Sequence, residues 1–135
     1  MLEPRPPARR LAEAAVRAQT ELVGDPRGPP IVQHILTRLY EHLGKLIGPV
    51  GFDTLLGRAL VLARRARPAL GGITAGPGGK LEGPAGLTRA GSGFDEHALA
   101  IVSHFIDLLM NLIGEDLALR TIRDIWPAAP DEEER

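Results

Sequence analysis

The sequence of 135 residues predicts an all-α fold, a single-domain bundle of about five helices, and three observations carry that expectation. Apolar residues make up 44% of the chain but aromatic ones only 4%, so the core must be built from Leu, Ile, Val and Ala, which suits helix packing better than a β-sandwich. Apolar positions recur at helical spacing in five segments. Gly24-Asp25-Pro26, Gly48-Pro49, Gly114 and Pro127 stand where those segments end.

The first helix is expected over 7–23, where Leu11, Ala15, Ala18 and Leu22 form a narrow stripe rich in alanine, suited to close approach by another helix. The second, over 30–47, starts where a first-turn proline is tolerated and aligns Val32, Leu36, Leu39, Leu43, Leu46 and Ile47. The third, over 50–67, buries Phe52, Leu55, Leu56, Ala59, Leu62 and Ala63 and ends in Arg64, Arg65 and Arg67, cations that complement a helix C-terminus.

Residues 68–93 change character, with nine glycines and three prolines among scattered apolar residues. A long flexible connection is expected there. A fourth helix, over 95–113, has Asp95 as N-cap and apolar residues over more than half its circumference, the mark of a central helix or one shared with a partner. Its polar residues, His97, Ser103, His104, Asp107 and Asn111, fall in one stripe. The fifth helix, over 115–126, opens on Glu115-Asp116, shows Leu119, Ile122 and Trp126 on one face, and gives way to an acidic tail over 127–135.

One internal similarity links the two halves. Leu43-Gly44-Lys45-Leu46-Ile47-Gly48 and Leu109-Met110-Asn111-Leu112-Ile113-Gly114 each read as the end of a helix, a Leu-Ile-Gly corner and the start of another helix. Leu-rich helices ending in glycine often look alike; two related helical hairpins joined by the long connection are the other reading.

Several chemistries are excluded or thinly supported. The absence of cysteine removes disulfides, thiolate metal sites and thiol nucleophiles. His97 and His104 lie two turns apart, roughly 10 Å along a helix, and His104 with Asp107 makes only two potential ligands, so neither metal nor cofactor is expected. Gly76-Pro77-Gly78-Gly79-Lys80 lacks the opening glycine and the following hydroxyl of a phosphate loop, having Thr74 and Leu81 there instead. Ser103 and His104 are neighbours pointing about 100° apart, which does not make a nucleophile pair.

Charge is nearly balanced, at −1, but unevenly placed: six basic residues face Glu41 and Asp53 over 31–67, and ten acidic ones face three arginines from Asp95 onward. The halves can attract each other within one molecule or between copies. The modest basic cluster, almost free of aromatics, argues against nucleic acid. A polar N-terminus without a signal-type apolar core suggests a cytoplasmic setting, and the interrupted apolar stretch over 98–114 suggests no membrane span.

These residues point to a non-catalytic helical interaction or regulatory module acting as a homo-oligomer, a dimer foremost, or on a protein partner. Leu99, Val102, Ile106, Met110 and Ile113, the surplus flank of the fourth helix, are its expected contact residues. An alternative rests on His42-Leu43-Gly44-Lys45, which resembles the phosphoacceptor stretch of histidine phosphotransfer domains, helical bundles with an exposed His and a Lys three residues on. That resemblance implies His42 as phosphoacceptor and Lys45 beside it. It spans four residues, and Leu46 stands where the family has a small residue.

Overall fold

The structure, a computed structural model, describes residues 4–23, 31–82 and 96–127. The Gly24-Asp25-Pro26 stop, the Asp95 cap, the connection over 83–93 and the tail from 128 onward lie outside the described residues. Within them the fold is all-α, with helices α1 (Pro6–Val23), α2 (Ile31–Ala66), α3 (Glu96–Ile113) and α4 (Glu115–Ile125) beside one small two-stranded sheet.

Four helices replace the expected five because segments 30–47 and 50–67 form one element, α2, interrupted at Gly48. There φ is 84° and ψ 157°, a conformation essentially confined to glycine, and Pro49 follows where a proline can open a helix. In a straight helix Tyr40 and Phe52 would lie about 18 Å apart. Their ring centroids are 5.2 Å apart, edge to face, so the chain doubles back at Gly48 and the two arms pack on each other.

The other Leu-Ile-Gly corner has the same backbone: Gly114 has φ 95° and ψ 151°. Gly114 lies 66 residues after Gly48, and the same offset pairs buried residues with buried residues. Ile35 pairs with Ile101, Leu39 with Phe105 and Leu43 with Leu109, and beyond the corners Phe52 pairs with Ala118 and Leu56 with Ile122. The hairpins also embrace reciprocally. Phe52 of the first packs on Phe105 of the second at 5.0 Å between ring centroids, and Arg38 reaches the Ile125 carbonyl at 2.9 Å with its guanidinium over Trp126.

Helix α3 is the central element, with residues 101–106 buried without interruption. Its apolar arc is wide because α2, α4 and α1 all pack on it. Helix α1 uses a different stripe from the expected one: Ala8, Leu11, Ala12, Ala15, Val16 and Gln19 are buried, Ala18 is half-buried, and Leu22 is 65% exposed. The small side chains let α1 lie close over the polar stripe of α3. Arg5 binds Asp107 through its backbone N at 3.2 Å and its Nε at 2.9 Å, and reaches Asn111 with Nη2. At the other end of α1, Gln19 Oε1 accepts a buried hydrogen bond from Trp126 Nε1 at 3.0 Å.

The segment expected to be a flexible connection is folded against α2 as far as it is described. A 3-10 turn at Pro68–Leu70 leads to β1 (Thr74–Ala75), a second turn at Pro77–Gly79 and β2 (Leu81–Glu82), with Thr74 opposite Glu82 and Ala75 opposite Leu81. Leu70 and Ile73 are buried in the core. The Gln33 amide donates to Gly79 O at 3.0 Å and accepts from Leu81 N at 2.9 Å, Asp53 accepts from Gly78 N, and Arg64 donates to Ile73 O. Its glycines serve packing here, since a Cβ on Gly79 would lie 3.2 Å from Phe52 Cε1 and 3.3 Å from Leu36 O.

By length and composition α2 and α3 could each cross a bilayer. In this fold α2 is broken and doubled back at Gly48, and 56% of the apolar window of α3 is buried inside the chain.

Candidate functional site

The fourth-helix flank singled out from sequence is not a free surface. Val102 and Ile106 are fully buried, Leu99 and Met110 nearly so, and Ile113 is partly buried against the core. The surplus apolar arc that argued for a partner is satisfied within one chain by α1 and α2, a correction that periodicity could not supply because it counts apolar positions without showing what covers them.

His42 and Lys45 stand one turn apart, both exposed. The Arg38 carbonyl lies 2.9 Å from His42 Nδ1; a carbonyl only accepts, so Nδ1 is the donor of that bond, and in a neutral ring Nε2 is the nitrogen that holds the lone pair. Ser103 and His104 are buried rather than lying on an open stripe, and Ser103 Oγ has no hydrogen-bond partner among the described residues. Among the described residues no group of three His, Asp or Glu side chains is placed to hold a metal ion.

The apolar surface that does remain exposed gathers at the two corners. Six large apolar side chains are exposed among the described residues, and four of them flank Gly48 and Gly114: Leu46 (49%), Val50 (78%), Leu112 (58%) and Leu117 (37%). The helix register brings these corners to one end of the molecule. The arm over 49–66 runs antiparallel to α3, with Arg67 paired to Glu96 at 2.7 Å and Phe52 against Phe105. Four residues before Phe52 comes Gly48; four after Phe105 comes Leu109, one to two turns short of Gly114. Both corners therefore project from the same end, with Ile47 and Ile113 half-buried beneath them.

No family model, curated protein or solved structure matches this chain. The corner end must therefore be read from its own chemistry.

That chemistry is apolar with split charge. Lys45 is exposed beside the first corner, while Glu115 and Asp116 are exposed in the first turn of α4 at the second, where a helix dipole favours anions. None of these three forms an ion pair among the described residues. Sequence reasoning had the relevant signal, the repeated Leu-Ile-Gly corner, but assigned Leu46 to the buried face of its helix. Leu46 sits one turn beyond Leu43, past the point where the partner arm and α3 still cover the helix.

Proposed function

We propose that this protein is a non-catalytic helical interaction module that docks a protein through its corner end. Four of the six large apolar side chains exposed among the described residues, Leu46, Val50, Leu112 and Leu117, gather at one end of the bundle, and that concentration carries this reading. Clustered apolar residues at a surface, bordered by charge, mark a contact site, whereas scattered ones do not. A cytoplasmic setting and the absence of a membrane span belong to the same proposal. A photo-crosslinking residue at Leu46 or Leu112 is expected to capture a defined protein in cells. The same probe at Leu22 or Val61 should capture none, and equal capture at all four positions would remove the corner end as the site.

A second reading, phosphotransfer through His42, is favoured by one observation: the ring is exposed and its Nδ1 is engaged with Arg38 O, so that in the neutral form Nε2 is the nucleophilic nitrogen. Incubation with a small phosphodonor such as phosphoramidate tests it. Acid-labile phosphate on the native chain and none on His42→Gln would support this reading, and no labelling would dismiss it.

A further inference from the structure

We propose that the occupant of the corner end is a second copy of this chain, joined end to end about a twofold axis so that the first corner of each copy meets the second corner of the other. The inference rests on the corner end being a docking surface and names its partner.

Three features carry it. The two corners share one backbone conformation, φ 84° and ψ 157° against φ 95° and ψ 151°, and each displays the leucine two residues before its glycine, Leu46 and Leu112. They are thus similar in shape and both apolar. Their charges are opposite, with Lys45 at the first and Glu115-Asp116 at the second, and none of these is neutralised within the chain's described residues. A twofold contact is self-complementary: the patch that one copy presents must fit itself after rotation. With the first corner on the first, Lys45 would meet Lys45 and the acidic pairs would meet each other. With the first corner on the second, Leu46 and Val50 cover Leu112 and Leu117, Lys45 faces Glu115 and Asp116, and the arrangement repeats on the other side of the axis.

The same charges disfavour a lipid occupant. An anionic bilayer attracts an excess of bases around an apolar tip, and here Lys45, Arg5 and Arg120 are matched by Asp107, Glu115 and Asp116, so there is no basic excess. A stable interface uses roughly 20 to 30 residues per side, far more than these corners supply, so the dimer is weak, with a dissociation constant on the order of micromolar or above.

Analytical ultracentrifugation of the full chain across a concentration series tests this. The native protein is expected to pass from monomer to dimer. Val50→Asp and Leu112→Asp should each raise the dissociation constant at least tenfold with helix content unchanged, since both side chains are exposed. Lys45→Glu and Glu115→Lys should each weaken the dimer about two- to thirtyfold, because the twofold axis puts each change at two exposed ion pairs, and their combination should recover most of the loss. Dimers unaffected by the corner variants, or a charge swap that compounds the loss, would overturn the inference. A chain that stays monomeric while the Leu46 probe still captures a different protein would also overturn it, leaving the docking surface intact. A monomer whose probe captures nothing would end both. Binding to phosphatidylcholine or phosphatidylserine vesicles that Val50→Asp abolishes, with no dimer, would assign the end to lipid instead.

Discussion

Gly48, Gly79 and Gly57 show how one residue type serves three purposes in this chain. At Gly48 a Cβ would touch nothing, so the requirement is purely conformational: φ of 84° with ψ of 157° is closed to other residues. At Gly79 a positive φ of 82° is joined by steric crowding from Phe52 and the Leu36 carbonyl. Gly57 lies inside α2 with open space where a Cβ would point. Chemical denaturation of the three alanine variants should therefore rank them. Gly57→Ala gains about 0.5 to 1 kcal/mol from helix propensity, Gly48→Ala loses about 1 to 3, and Gly79→Ala loses at least as much as Gly48→Ala. A stabilised Gly48→Ala would show that the corner does not need its conformation. Ser103 is the contrasting polar case. Its Oγ is buried and has no partner among the described residues, so Ser103→Ala removes a desolvated group and should be neutral or stabilising by up to about 1 kcal/mol in a urea melt. A loss larger than 1 kcal/mol would mean that the hydroxyl has a partner.

Among the elements, α3 and the folded segment after α2 behave differently from what their composition suggests. The flank of α3 that reads as an interface is core, so an ionised side chain there has neither water nor a partner. Ile106→Asp is expected to abolish the cooperative unfolding transition in circular dichroism rather than to release folded subunits. A folded Ile106→Asp monomer would restore the interface reading of that flank. The segment over 68–82 looks featureless by composition because glycine and proline carry no apolar periodicity. Its order depends on backbone groups meeting particular side chains, above all the Gln33 amide that both donates and accepts. Gln33→Ala leaves Gly79 O and Leu81 N without those partners and should cost about 1 to 3 kcal/mol, with faster amide exchange confined first to residues 73–82. Unchanged exchange there would show that the turn holds itself.

For the molecule as a whole, Trp126 reports on cooperation between hairpins, because it is buried where α4 meets Arg38 of α2 and Gln19 of α1. Its fluorescence and the far-ultraviolet helix signal should therefore lose their native values in one coincident transition. An earlier loss of fluorescence would show that α1 and α4 detach before the α2–α3 core melts. The sequence by itself determined the fold class, nearly all the helix positions and the two glycine corners, because helical periodicity and glycine punctuation are local properties of the backbone. Tertiary structure decided the rest. Whether the apolar arc of α3 waited for a partner depended on α1 lying across it, and whether residues 68–82 packed depended on Gln33, Asp53 and Arg64 standing at the right height on α2. Which leucines stayed exposed depended on where the arms stop covering one another. Each of these is set by which distant segment arrives at a surface, and no window of neighbouring residues contains that information.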